Sequence, residues 1–136
     1  MSEATQAPPA TGTFCWNELG TRDVNAAITF YTELFGWTTE QHDMGEHGTY
    51  TIFKSEGTQV GGAYEFFGDQ FKGVPPHWLS YVAVDDVDAA SSKAESLGAK
   101  ICMPPSDIPN TGRFSVLTDP TGATIALFKG MESCGG

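Results

Sequence analysis

Glu18 is the residue whose type and surroundings most readily suggest chemistry. It lies in the extended, aromatic-rich run FCWNELG, which begins at Phe14. In a strand its side chain would share a face with Phe14 and Trp16, because alternate residues point the same way. A carboxylate in such surroundings should have a raised pKa, as a general base or a hydrogen-bonding partner of a ligand requires. The alternative is a glutamate at the rim of a site, paired with a cation such as Arg113 or Lys129.

Two further residues could contact a ligand. Arg113, at the start of a predicted strand in the sequence NTGRF, could clamp an anionic group or lock a turn. Tyr81 could donate a hydrogen bond into a pocket or could be a packed core tyrosine. The sequence leaves both alternatives open for each residue.

One cluster suggests a metal ion, and it consists of His42, Asp43, Glu46 and His47. These residues lie in a glycine-flanked turn between two predicted strands, without a helical or cysteine-based frame. A turn is therefore the simpler interpretation of the cluster.

The cysteines and the chain ends bear on the cellular compartment. Cys15, Cys102 and Cys134 are odd in number and unrelated in spacing, which indicates neither a zinc site nor a disulfide framework and favours a reducing cytoplasm. The first residues lack the basic start and apolar stretch of a secretory signal, and no apolar run has the length of a membrane span. We expect a cytoplasmic protein.

Hydrophobic spacing predicts the same order of elements in each half of the chain. Asp23 caps a helix whose apolar residues recur at helical spacing, and Asp86 caps a second one. The predicted elements of the first half are a strand at 14–20, a helix at 24–35 and strands at 37–44, 50–53 and 59–66. Those of the second half are a strand at 78–84, a helix at 87–97 and strands at 101–103, 114–117 and 123–128.

The shared order of elements indicates an internal duplication. The sequence DVNAA at 23–27 matches DVDAA at 86–90, and LFG at 34–36 matches SLG at 96–98. The fold class predicted is α+β, with two tandem βαβββ modules. The predicted organisation is an arm at 1–12, a first module at 13–66, a linker at 67–76, a second module at 77–130 and a tail at 131–136.

The repeated motifs resemble those of the vicinal oxygen chelate superfamily, which includes glyoxalase I, extradiol dioxygenases and bleomycin-resistance proteins. The resemblance is carried by RDVNAAITFYTELFGW, VDDVDAASSKAESLGA and GRFSVLTDPTGATIALF, and it covers Thr13 to Gly130. It implies curved mixed sheets around a cleft, with the helices outside and with homodimerisation. Fold alone does not imply a reaction.

The resemblance also implies four places for metal ligands, two in each module. In this chain they fall on Trp16, Gly61, Leu79 and Ala126, none of which has a side chain that ligates a divalent cation. We therefore expect neither a metal nor another cofactor.

Strand alternation then predicts which residues line the cleft. The opposite face carries an apolar set suited to packing under helices: Leu19, Val60, Val82, Val84, Ile125 and Leu127. The predicted ligand-binding residues are Phe14, Trp16, Glu18, Gln59, Leu79, Tyr81, Arg113 and Phe128, with Glu18 as the candidate catalytic group. Gly61, Thr124 and Ala126 would share their face. Such an aromatic pocket with few polar groups is the common form of a small-molecule site.

Charge narrows the range of partners. The chain has 136 residues, with 17 acidic against 7 basic side chains and a net charge of -10. A surface this negative repels phosphate backbones and anionic lipids, so neither nucleic acid nor a membrane is expected as a partner.

Three functions remain as hypotheses. The first is a metal-free domain that binds a small organic molecule, either to sequester it or to transform it with Glu18. The alternative is a metal-dependent isomerase or lyase of the glyoxalase type with displaced ligands, and the third is a non-enzymatic interaction module. The sequence does not decide whether the protein is an enzyme.

Overall fold

The computed structural model describes residues 10–45, 48–66, 68, 71–108 and 111–130. Within them, eight strands and two helices follow the order βαβββ twice, which confirms the α+β prediction. The elements are β1 (Phe14–Thr21), α1 (Val24–Phe35), β2 (Thr38–Asp43), β3 (Thr49–Ser55), β4 (Thr58–Glu65), β5 (His77–Ala83), α2 (Val87–Ser96), β6 (Lys100–Ile108), β7 (Gly112–Thr118) and β8 (Thr124–Gly130).

Contacts divide these residues into two compact units. The central unit is Trp16–Leu79, and the terminal unit is formed by the residues before Trp16 together with those after Leu79. Strands β1 and β5 therefore each contribute residues to both units. The end of the predicted arm bonds within the terminal unit: the Gly12 N–H donates to the Ala83 carbonyl, and the Thr11 hydroxyl donates to Asp85.

The central unit is a mixed sheet in the order β2-β3-β4-β1 with α1 against one face. Strands β1 and β4 are parallel, whereas β2, β3 and β4 are antiparallel. Leu19, Phe53 and Ala63 form the buried core of this face. The apolar side chains of α1 that pack against this core are the ones its helical spacing predicts: Val24, Ala27, Ile28 and Tyr31.

An aromatic cluster around Tyr31 extends this core. Its ring lies 6.0 Å from that of Trp37 and 5.4 Å from that of Trp78, between centroids. The Trp78 indole N–H also donates to the Tyr31 hydroxyl at 3.1 Å. Both tryptophans thus contact Tyr31 within the central unit.

In the terminal unit the strand order is β5-β8-β7-β6, with α2 packed on the sheet and Val87 and Ser91 buried. Strand β6 is six residues longer than the strand predicted at 101–103, and it includes Pro104 and Pro105. Because β6 has one neighbouring strand in this unit, β7, prolines without an N–H donor are tolerated there. Among the described residues, no helix has the length and apolar character needed to cross a membrane.

Both helices begin at an aspartate whose carboxylate accepts from a backbone N–H three residues on. Asp23 accepts from Ala26 and Asp86 from Ala89, each at 3.0 Å. This contact satisfies one of the N–H groups that the first turn of a helix leaves without an acceptor. The end of α1 is set by Gly36, which adopts φ 75° and so takes the left-handed conformation that glycine allows.

Replacing either capping aspartate with alanine should lower the free energy of unfolding by about 1 kcal/mol, because the N–H of Ala26 or Ala89 loses its acceptor. Urea denaturation followed by circular dichroism would measure this loss. Glu33→Ala is the matched control, since it removes one negative charge from an exposed position of α1. An equal loss in the control would mean that the charge, rather than the cap, matters.

Candidate functional site

Glu18 and Trp16 lie on the face of the central sheet that points away from α1. They alternate along β1 with Asn17 and with Leu19, whose side chain is in the core. Both side chains are half-buried. The prediction that alternation separates Glu18 from Leu19 is therefore confirmed.

The partner of Glu18 on β4 corrects the predicted register. Glu18 lies opposite Gly62, whereas Gly61 lies opposite Phe53 and so belongs to the core face. The expectation that Gly61 shares the face of Glu18 is wrong. The cause is a bulge after Phe53, which shifts the β3–β4 register by one residue. Gln59, on the far side of this bulge, is exposed opposite Lys54, beside the β3–β4 turn.

A directed chain of hydrogen bonds connects three side chains on this face. The Trp16 indole N–H donates to the Tyr50 hydroxyl at 2.9 Å, and the Tyr50 hydroxyl donates to Glu18 Oε2, also at 2.9 Å. An indole N–H can only donate, and the single hydroxyl proton of Tyr50 is directed at Glu18. We call these residues the Trp16–Tyr50–Glu18 chain.

Gly62 makes this arrangement possible. A Cβ atom at Gly62 would collide with the Tyr50 hydroxyl and ring, so any other residue there would displace the phenol. The empty position opposite Glu18 thus lets a tyrosine from β3 reach across β4 to the carboxylate on β1.

Tyr50 on β3 and Tyr64 on β4 both have a raised pKa, for the same two reasons. Burial raises the pKa of Tyr50, and the negative charge of Glu18 raises it further. Burial, followed by the charge of Glu18, also raises the pKa of Tyr64 to about 12. Both phenols therefore stay protonated at neutral pH and are able to donate hydrogen bonds.

Sequence reasoning missed Tyr50 and Tyr64. The sequence supplied strand alternation, which points each tyrosine away from its neighbour, Thr51 or Ala63. The structure shows that both neighbours are buried. What the sequence lacked was the pairing of β3 with β4, which brings them to the face of Glu18.

The remaining predicted ligand-binding residues have different surroundings. Phe14 is exposed at the start of β1, and Leu79 is buried. In the terminal unit Tyr81 is buried opposite Ala126, and its ring lies 6.3 Å from that of Phe128. The structure thus brings Trp16 together with Glu18, and Tyr81 together with Phe128.

Arg113 forms a network of ion pairs with two aspartates. It bonds Asp88 of α2 through two nitrogens, at 3.1 and 2.9 Å, and Asp107 of β6 at 2.9 Å. Hydrogen bonding to Arg113 lowers the pKa of Asp88. Arg113 thus lies on the α2 side of the sheet, whereas the adjacent residue Phe114 pairs with Phe128 on the other side. Of the two roles left open by the sequence, this geometry favours the structural one.

The histidine cluster falls partly outside the described residues, since Glu46 and His47 are not among them. His42 Nε2 lies 2.7 Å from Glu40, which also bonds Lys54. Hydrogen bonds lower the pKa of Glu40, and the bond from Lys54 has a larger effect than the bond from His42. In the part of the chain that the structure describes, no three His, Cys, Asp or Glu residues are grouped in a way that could hold a metal ion.

The alkaline titration of Tyr64 should report on the charge of Glu18. With a pKa of about 12 against about 10 in the unfolded chain, the neutral phenol stabilises the fold below pH 10, and this contribution is lost as the pH rises towards 12. Phenolate absorbance of the wild type minus that of Tyr64→Phe would measure the pKa. The pKa of Tyr64 should fall in Glu18→Gln, because the negative charge that raises it is removed. It should not fall in the control Glu33→Gln. A Tyr64 pKa unaffected by Glu18→Gln would contradict the assigned proximity.

Comparisons with known proteins agree with this architecture. Over 119 residues the chain is 40% identical to the protein named "Putative glyoxylase CFP32" of Mycobacterium tuberculosis, a match covering 88% of this chain and 44% of that protein. It is 37% identical over 132 residues to the anthracycline biosynthesis protein DnrV of Streptomyces peucetius, covering 88% of this chain and 48% of DnrV. The chain therefore spans less than half the length of these two relatives.

Among solved structures, methylmalonyl-CoA epimerase from Mycobacterium tuberculosis matches with a TM-score of 0.60 at 14% identity. The match covers 92% of this chain and 93% of the epimerase, and at this identity it speaks for the fold alone. The family model named Glyoxalase/Bleomycin resistance protein/Dioxygenase superfamily matches residues 14–127. The chain therefore belongs to the glyoxalase/bleomycin resistance protein/dioxygenase superfamily.

Proposed function

We propose that this chain binds a small organic molecule on the face of the central sheet that carries the Trp16–Tyr50–Glu18 chain, without a resident metal ion. The observation that carries the proposal is the hydrogen bond from Tyr50 to Glu18. It holds a carboxylate in one orientation beside the aromatic surfaces of Trp16 and Tyr50, in a half-buried position. Apolar surface with one oriented polar group is the usual composition of a small-molecule site.

The residues at the expected metal-ligand positions support binding without a metal ion. The places where the superfamily resemblance implies metal ligands hold Trp16, Leu79 and Ala126, and the corrected register replaces Gly61 with Gly62. None of these side chains offers a lone pair suited to a divalent cation, and the Trp16 N–H is already donated to Tyr50. The residues at these places do not fit the metal.

Glu18 has two possible roles once a ligand is present. It could accept a hydrogen bond from a ligand that the protein sequesters. Alternatively, it could act as a general base that takes a proton from the ligand, provided the ligand places that proton within hydrogen-bonding distance. The names of the relatives, a glyoxylase and an anthracycline biosynthesis protein, fit a small organic ligand in either case. Homodimerisation and a cytoplasmic location stay predictions from the sequence.

The test combines metal content with binding. Protein never exposed to chelator should contain essentially no transition metal by inductively coupled plasma mass spectrometry. In a screen of small organic molecules, ligands should shift the indole N–H resonance of Trp16 in ¹H–¹⁵N NMR spectra. The Trp78 indole, which bonds Tyr31, provides an internal comparison within the same unit.

Glu18→Gln should weaken binding of the molecules found in this screen, and Glu33→Gln should leave it unchanged because Glu33 is exposed on α1. About one transition metal per chain, with binding or activity lost to chelator and restored by Ni²⁺, Zn²⁺ or Mn²⁺, would instead establish the metal-dependent alternative. A screen in which no molecule affects Trp16 would refute the proposal.

A further inference from the structure

Ser91 has the one side-chain oxygen or nitrogen atom, among the described residues, that is buried without a hydrogen-bond partner. It lies one turn after Val87 on the buried side of α2, and its side chain is 4% exposed. A hydroxyl removed from water and left without a partner is unfavourable for folding. This serine therefore lowers the stability of the terminal unit unless another molecule bonds it.

The internal repeat shows which side chains the second helix lacks. When the capping motifs DVNAA and DVDAA are aligned, Ser91 corresponds to Ile28. By the same alignment Ala94 corresponds to Tyr31. Ile28 and Tyr31 are large and pack against the core of the central unit. Helix α2 thus has a hydroxyl and a methyl group at positions where α1 has two large side chains, and it fills less of the space over its sheet.

A groove of about 490 Å³ lies between α2 and β6, beside this serine. Both elements belong to the terminal unit. The α2 residues that line the groove are spaced along one face of the helix: Asp88, Ser91, Ser92 and Glu95. Ile101 and the two prolines of β6 line its other side. A groove of this volume, with apolar and polar walls, is large enough for a small organic molecule.

Strand β6 is irregular where it borders the groove. Its register with β7 shifts between Ile101 and Met103, and again between Met103 and Ser106. Such bulges bend a strand locally and occur often beside binding sites. The two prolines lie within the second irregularity and have no N–H to donate. This wall of the groove therefore offers mainly apolar surface.

The charges along the groove favour a cation. Asp88 is bonded by two nitrogens of Arg113, which offsets its negative charge. The Glu95 carboxylate has no ion pair with a described residue. Of the described residues, no lysine or arginine is among those that line the groove. A ligand with a positive charge would therefore meet one uncompensated carboxylate, whereas a carboxylate or phosphate would be repelled.

We propose that this groove binds a small protonated amine, with its ammonium group between the Ser91 hydroxyl and the Glu95 carboxylate. Side chains four residues apart on a helix are neighbours, with Cβ atoms about 5–6 Å apart, so one ammonium group can reach both. The hydroxyl accepts as well as donates, and the amine would supply its missing partner. Because the oxygen is covered in this structure, binding requires a rotation about the Cα–Cβ bond of Ser91. The site lies in the terminal unit and does not depend on the function proposed for the central unit.

Three probes of similar size and different charge test this inference: protonated cyclohexylamine, cyclohexanol and cyclohexanecarboxylate. Each is titrated into the protein at constant ionic strength while the amide resonances of Ser91, Ser92 and Ile101 are followed in ¹H–¹⁵N NMR spectra. The amine should bind at least about tenfold more tightly than the carboxylate, the effect expected of one charge-assisted hydrogen bond. This ratio should fall by at least about threefold in Glu95→Gln and stay unchanged in the control Glu33→Gln.

Ser91→Ala distinguishes a ligand-binding serine from a merely structural one. It removes a buried hydroxyl without a partner and introduces the best helix former, so the melting temperature should rise by about 3 °C. Cyclohexylamine should nevertheless bind at least about threefold more weakly, because its ammonium group loses an acceptor. Ser91→Ile, which copies Ile28 of α1 and fills the groove, should abolish the shifts. The dispersion of the amide resonances reports whether each variant is folded.

Several results would overturn the inference. A melting temperature that falls in Ser91→Ala would mean that an internal water already satisfies the hydroxyl and that the serine is structural. Equal binding of the amine and the carboxylate, or unweakened binding of the amine in Ser91→Ala, would contradict it as well. The Trp16 indole resonance is followed in the same titrations as a reporter of the central unit. If it shifts and the three amide resonances do not, the inference fails while the proposed function stands.

Discussion

The hydroxyl of Tyr50 is the group on which the arrangement of the candidate site depends. It accepts from Trp16 and donates to Glu18, so it fixes the orientation of two side chains that share β1 and of one that comes from β3. Leaving a buried hydroxyl without a partner costs about 1–3 kcal/mol, which favours keeping both bonds. The same hydroxyl thus links the indole N–H of Trp16 to the carboxyl group of Glu18, since it accepts from the first and donates to the second.

This arrangement requires space that the sheet provides through a glycine. Glu18 pairs with Gly62, and the phenol of Tyr50 occupies the volume where a side chain at Gly62 would lie. At the corresponding pair of the terminal unit, Tyr81 lies opposite Ala126, which is fully buried. The two halves of the repeat therefore have the same strand pairing but different side chains. The central unit has the Glu18 carboxylate, bonded to Tyr50 across β4, and the terminal unit has Tyr81 beside the methyl group of Ala126.

The core and the candidate site lie on opposite faces of the central sheet. Leu19, Phe53 and Ala63 are buried under α1, while the residues next to them on the same strands point to the face of Glu18. A bulge after Phe53 keeps Phe53 in the core and changes which β4 residue lies opposite Glu18. A similar division holds for Arg113, whose ion pairs with Asp88 and Asp107 join α2, β6 and β7 on the α2 side of the terminal sheet.

The sequence by itself determined the elements and their repetition. Local signals were sufficient there: a capping aspartate three residues before the N–H it binds, helical spacing of apolar residues, a glycine at the end of α1, and alternation along β1 that separates Glu18 from Leu19. The superfamily was recognisable from its repeated motifs for the same reason. These features depend on neighbours within a few positions of one another.

Only the tertiary structure decided which groups meet. Tyr50 is 32 residues from Glu18, and Asp88 is 25 residues from Arg113, so neither pair has a signal in local spacing. Strand register places them, and a single bulge was sufficient to exchange Gly61 for Gly62 as the residue opposite Glu18. Because side chains alternate across a sheet, a shift of one residue moves a side chain from the core face to the opposite face. The bulge that causes the shift here appears only when β4 is paired with β3, and the alternation along one strand does not reveal it.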